Sequence, residues 1–103
     1  MKNLYEILIP VADNDGKTFS NAHVTKFWDL IIATANGLTV MPNVKGFWVD
    51  GGRTFTDENT PLRVVATKDE IRFIAHQAKS HFNQLAILYY KISDDVVFKT
   101  GED

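Results

Sequence analysis

Pro61-Leu62-Arg63-Val64-Val65-Ala66-Thr67-Lys68-Asp69-Glu70-Ile71 is an extended, β-branched run that passes directly into a helix start. Thr67 and Glu70 form the T-x-x-E pattern of a capping box, in which each side chain satisfies one orphan amide of a first helical turn. The helix so opened carries Ile71, Ile74, Ala75, Ala78 and Phe82 on one face. Leu85 to Ile92 (LAILYYKI) then reads as a strand, Ser93-Asp94-Asp95 as a turn, and Val96-Val97-Phe98 as a further short strand.

The same strand–helix order stands upstream. Leu4 to Val11 (LYEILIPV) is an apolar run ending near Pro10, and Asp13-Asn14-Asp15-Gly16 is dense in turn formers. A calcium loop counted from Asp13 would need Glu at its twelfth position and meets Val24 instead, so a plain turn is the better reading. Val24, Phe27, Trp28, Ile31, Ile32 and Ala35 form one helical stripe, with Ser20 or Asn21 as the cap and Gly37 as the close. Leu38–Met41 starts a strand that Pro42-Asn43 interrupts. Val44–Asp50 resumes it, Gly51-Gly52 ends it, and Arg53–Thr60 reads as a polar connection.

The order βαββαβ predicts an α+β, ferredoxin-like sandwich in one domain spanning residues 1–103: a four-stranded sheet with both helices on one face. Both faces of the outer runs are apolar. Tyr5, Ile7 and Ile9 oppose Leu4, Glu6 and Leu8; Leu85, Ile87 and Tyr89 oppose Ala86, Leu88, Tyr90 and Ile92. Only one set fits under the helices, so the other predicts an interface and a closed homo-oligomer.

Composition narrows the chemistry. The chain has no cysteine, which removes disulfides and thiolate sites. Net charge is −2 with Lys and Arg scattered, so nucleic acid is not an expected partner. No apolar run is long enough for a bilayer, and the first residues lack a signal-peptide pattern, which predicts a cytoplasmic protein. No metal or cofactor is expected: His76 and His81 fall on different helix faces, and with His23 they read as solvated helix histidines. Walker, dinucleotide-binding, nucleophile-elbow and zincin motifs are absent.

The chemically dense stretch is Gly46 to Arg63, GFWVDGGRTFTDENTPLR. One reading is a long hairpin with a polar tip. The other is a ligand site, because Phe47, Trp48 and Phe55 beside carboxylates and Asn59 suit a small, flat, polar-edged ligand such as a purine.

The chain resembles the phage-encoded S-adenosylmethionine lyases, or the wider group of related small ferredoxin-like proteins of unknown function. The resemblance runs over most of the sequence. It rests on the N-terminal apolar strand, Gly46-Phe47-Trp48, the acid stretch Asp57-Glu58-Asn59, Leu62-Arg63-Val64, the helix start Lys68-Asp69, and the closing Ala86-Ile87-Leu88-Tyr89-Tyr90. It implies a homotrimer built like PII signalling proteins, with sites between subunits. It also implies a phage protein of anti-restriction role in the host cytoplasm, and cleavage of S-adenosylmethionine, or a nucleotide built from it, to a homoserine lactone and methylthioadenosine. The family's aromatic is Tyr where this chain has Trp48. Its Glu falls at Asn59 in an ungapped match, and a one-residue shift brings Glu58 into that role. Glu58 is thereby the implied catalytic residue, with Phe47, Trp48, Asp57 and Asn59 as substrate contacts. Two alternatives remain: a non-catalytic PII-like trimer binding a small nucleotide or metabolite, and an interaction protein whose apolar sheet face meets another partner.

Overall fold

A computed structural model describes residues 1–101. The chain runs β1 (Asn3–Pro10), α1 (Asn21–Ala35), β2 (Thr39–Val40), β3 (Val44–Asp50), β4 (Arg53–Ala66), α2 (Lys68–His81) and β5 (Tyr89–Ser93). The sheet order is β2-β4-β1-β5, with β3 also on β4, and every pairing is antiparallel. This is the ferredoxin-like arrangement. The second strand position is shared by two segments, β2 and β3, on the same side of β4.

Pro61 explains that division. Val40 pairs with Leu62 and Val44 with Asn59, so Met41, Pro42 and Asn43 bulge opposite Thr60 and Pro61. Proline has no N–H to donate, and here it stands where the partner strand is broken. Its carbonyl still accepts from the Met41 amide at 2.9 Å, and the Thr60 hydroxyl donates to Asn43 Oδ1 at 2.6 Å.

The helices form as the caps dictate. The Ser20 hydroxyl accepts from the His23 amide, and the Thr67–Glu70 capping box is complete in both directions. Closure of α1 falls on Asn36, whose φ of 67° is left-handed, rather than on Gly37. Asn is the residue besides Gly that enters this region most readily.

Tyr5, Ile7 and Ile9 of β1 and Leu62, Val64 and Ala66 of β4 lie under the helices. There they meet Phe27 and Ile31 of α1 and Ile71, Ile74 and Ala78 of α2. Phe82, just past α2, meets Phe19 and Phe27 edge to face at 5.1 and 5.2 Å. The other face carries Leu4, Glu6, Leu8, Val65, Leu88 and Tyr90, and no second layer of described residues lies over it.

Other expectations change as well. Arg53–Thr60 is not a connection but the first half of β4, joined to β3 by Gly51-Gly52, both at positive φ as a two-residue hairpin turn requires. The fourth strand begins at Tyr89, not Leu85, which is 97% exposed, and Val96–Phe98 forms no strand. Ile32 belongs to the α1 stripe yet stays half exposed, because the stripe is wider than the sheet contact. His23 and His81 are not solvated but half-buried, for a reason given below.

Phe82→Ala should destabilise the domain by about 3–5 kcal/mol, the usual cost of removing a fully buried phenylalanine. Urea unfolding showing a loss below about 1 kcal/mol would contradict this packing.

Candidate functional site

Strand alternation divides the sequence-predicted residues into two groups. Gly46 pairs with Asp57, Trp48 with Phe55 and Val44 with Asn59, so these six residues face one way. Lys45 pairs with Glu58 and Phe47 with Thr56, and these face the other way. Trp48, Asp57 and Asn59 therefore share a face, while Phe47 and Glu58 lie on the reverse. Continuing along β4, the Asn59 face is that of Pro61, Arg63 and Val65, the open side of the sheet.

On the open side the hairpin carries an ordered strip. Trp48 and Phe55 stack at 4.5 Å with 18° between planes, and the Arg53 guanidinium lies 5.2 Å from the Phe55 centroid. The Asp57 carboxylate folds across Gly46. A Cβ built on that glycine would meet Asp57 Oδ1 at 2.5 Å, so glycine there is what allows the carboxylate its position. Trp48 is 49% exposed even with Phe55 against it. Among the described residues no element stands opposite the strip.

Further along the same face stands a polar group that the sequence reading did not single out. Arg63 Nε donates to Glu6 Oε1 at 3.1 Å, and the Tyr90 hydroxyl donates to Glu6 Oε2. Glu6 is buried. The hydrogen bond from Tyr90 is the main reason its carboxyl sits below the usual range; burial opposes this, and the Arg63 contact adds to it. The same contact, with burial, pushes the Tyr90 hydroxyl up. A sequence signal existed: Glu6 and Arg63 are opposite charges placed in the same-face rows of two apolar strands.

A second cluster lies at the far end of the helical layer. The His23 and His81 rings stack at 3.9 Å, and the Nε2 of each lies 2.6–2.7 Å from the main-chain carbonyl of the other. This ties the start of α1 to the end of α2 and occupies one of the orphan carbonyls of α2. It also explains the burial of both rings, whereas His76 stays exposed. A cleft of about 560 Å³ beside the pair is lined by Asp13, Asp15, Lys17 and Phe19. In that loop Asp13 Oδ1 accepts from the amides of Asp15 and Lys17, so its carboxylate serves the turn. Among the described residues no set of three or more His, Asp or Glu is placed to hold a metal ion, and no helix is long and apolar enough to cross a membrane.

No known family's sequence profile matches the chain, and neither does any curated protein. Solved structures do match. A divalent cation tolerance protein (Cut A1) from Thermus thermophilus aligns with a TM-score of 0.71 at 12% identity, covering 95% of this chain and 88% of that one. The periplasmic divalent cation tolerance protein CutA from Archaeoglobus fulgidus gives 0.69 at 13%, covering 96% and 89%. A phage SAM lyase in complex with S-methyl-5'-thioadenosine gives 0.61 at 12%, covering 94% and 93%. At such identities the likeness establishes the ferredoxin-like fold that all three share with this chain.

The Glu6 contact has a pH signature. Its carboxyl binds protons less readily in the folded chain than in the unfolded one, so its contribution is complete above the unfolded value. That contribution is lost as pH falls through the lower folded value. Urea stability of the native chain should therefore fall more steeply than that of Glu6→Gln as pH drops below about 4. Parallel profiles would contradict the depressed carboxyl.

Proposed function

We propose that the chain is a lyase acting on S-adenosylmethionine or a close sulfonium nucleoside, working as a homotrimer whose sites lie between subunits. The observation that carries this reading is the strip on the open face, where a stacked aromatic pair, a carboxylate held over a glycine and an amide lie in line. Aromatic faces suit an adenine, and polar edges suit a ribose and an ammonium. The fold shared with a phage SAM lyase holding S-methyl-5'-thioadenosine supports the same chemistry. That no described element of one chain stands opposite the strip favours a site completed by a neighbouring copy.

The reaction asks little of the protein. One oxygen of the substrate carboxylate attacks the γ-carbon that bears the sulfonium. The new C–O bond closes a lactone, the C–S bond breaks, and its electron pair goes to sulfur, leaving neutral methylthioadenosine. No proton is transferred. Opposite charges cancel in the transition state, so a water-poor site favours the step. Folding the methionine arm into attack geometry supplies much of the remainder.

The register bears on which carboxylate serves. The ungapped match puts the two family positions at Trp48 and Asn59, which share a face; a shift to Glu58 would separate them onto opposite faces. Asn59 carries no charge, and Asp57 is the nearest carboxylate on that same face. In this reading Asp57 holds the ammonium or ribose, Trp48 and Phe55 hold the base, and Asn59 contributes an amide. Glu58 and Phe47, on the reverse, act only if the neighbour's ligand lies against that side.

A second reading is the non-catalytic trimer that binds a nucleotide. The specific observation in its favour is that Trp48 and Asn59 stand where the resemblance implies Tyr and Glu.

Incubation with S-adenosylmethionine should release methylthioadenosine and homoserine lactone, resolved by chromatography. Asp57→Asn should cut turnover about a hundredfold, the scale of several kcal/mol lost from a dry site, with Glu58→Gln close to native. The reverse ranking would move the site to the other face. Binding of methylthioadenosine without turnover would support the second reading.

The trimer has its own test. Light scattering should give a trimer mass, and Leu88→Lys, a charge on the open face, should lower it to that of the monomer while leaving the far-ultraviolet circular dichroism intact. A monomer mass for the native chain would contradict the assembly.

A further inference from the structure

β3 is an edge strand. It pairs with β4 on one side, and among the described residues no strand pairs with it on the other. The register fixes which of its main-chain groups point outward. The Glu58 carbonyl accepts from the Val11 amide at 3.1 Å, on the β1 side of β4, so the main-chain groups of Glu58 turn away from β3. Main-chain direction alternates along an antiparallel pair. Asp57 and Phe55 therefore bond across to Gly46 and Trp48, while Lys45, Phe47 and Val49 turn their N–H and C=O groups to the free edge. The two-residue turn Gly51-Gly52, closed by Asp50 and Arg53, gives the same alternation.

Trp48 stands between the outward groups of Phe47 and Val49, and its ring offers a surface on the same side. Its stack with Phe55 runs across the strands: the two residues are a cross-strand pair, and 4.5 Å between centroids is close to the strand spacing of about 4.8 Å. Phe55 also has the Arg53 guanidinium 5.2 Å from its centroid. The ring surface left for a base is the outer face of Trp48, over the free edge, and Trp48 is 49% exposed. A flat ring stacked there stands above the Phe47 carbonyl and the Val49 N–H, the two groups that flank Trp48 on that side. The acceptor comes first and the donor second, in the direction of the hairpin tip. Adenine offers the complement: an amino donor at N6, with ring acceptors N1 and N7 on either side of it. Asp57 decides between the two acceptors. Its carboxylate lies over Gly46, on the side of Trp48 away from the tip. With N6 at Phe47 and N1 at Val49, the sugar-bearing N9 falls on the Gly46 side. With N7 at Val49 it falls on the tip side, away from Asp57.

We propose that the free edge of β3 reads the ligand's base: the Phe47 carbonyl accepts from the N6 amino group, and the Val49 N–H donates to N1. The inference deepens the lyase reading and rests on its nucleoside site. It makes adenine the required base. Hypoxanthine presents a carbonyl at position 6 and an N–H at position 1, so it sets an acceptor against the Phe47 carbonyl and a donor against the Val49 N–H. The side chains of Phe47 and Val49 stay on the reverse face and take no part.

The test compares nucleosides that differ only in the base, by calorimetry. On the native chain, methylthioadenosine should bind roughly ten- to hundredfold tighter than methylthioinosine, and roughly tenfold tighter than its 1-deaza analogue, while the 7-deaza analogue should bind like the parent. Val49→Pro removes the N–H at an outward position of an edge strand, where proline is tolerated. It should lower methylthioadenosine affinity to that of the 1-deaza analogue and leave the analogue's own affinity unchanged. Val49→Ala keeps the N–H and should keep the preference. Equal binding of adenine and hypoxanthine nucleosides to the native chain would overturn the edge reading while leaving the nucleoside site in place. A loss with the 7-deaza analogue and none with the 1-deaza analogue would overturn the orientation. A folded Val49→Pro that still prefers methylthioadenosine to its 1-deaza analogue would overturn the donor assigned to Val49; should that variant not fold, the native-chain series decides alone. Failure of methylthioadenosine to bind the native chain would overturn both the edge reading and the nucleoside site on which it rests.

Discussion

The register of β4 against β1 is the constraint on which the other features depend. Tyr5 stands opposite Val64 and Ile7 opposite Leu62, and those four side chains are the floor of the core. Side chains alternate with a period of two, so a slip of β4 by one residue would put Arg63 under the helices and bring Leu62 and Val64 into the open. The burial of Ile7, Leu62 and Val64 prevents that slip. Because β4 is one unbroken strand of 14 residues, the same register extends into the hairpin. It assigns Trp48, Asp57 and Asn59 to the open face, far from the core that holds them there.

The open face combines two things seldom left together in water. Leu4, Leu8, Val65, Leu88 and Tyr90 make it apolar, and a buried carboxylate lies among them with both oxygens satisfied. An ion pair on an apolar face gains from exclusion of water only where its hydrogen bonds are complete. Glu6 meets that condition within one chain and Arg63 does not. The apolar side chains call for a covering layer.

Much of this was legible in the sequence, for local reasons. The capping box at Thr67 and Glu70, the stripe of α2 and the alternation of β1 are short-range patterns, and each formed as read. Arg53–Thr60 reads as a connection because its residues are polar, and polarity marks a connection only when the strand has a buried side. Here the ribbon extends past the core, so neither face demands apolar residues. The stack of His23 on His81 joins residues 58 apart in sequence, which no periodicity can reveal. Of the candidate-site residues, the types are visible in the sequence but their grouping is not. Phe47 and Trp48 adjoin in sequence and are separated by the sheet, while Trp48 and Phe55 are apart in sequence and stacked.

The claim that the open face of the β3–β4 hairpin forms a nucleoside site is tested most directly by a crystal structure of the chain with methylthioadenosine. The adenine should lie against the Trp48–Phe55 pair, with the ribose toward Asp57 and a neighbouring copy closing the other side. A nucleoside bound against Phe47 and Glu58, or in the cleft beside His23 and His81, would contradict the account.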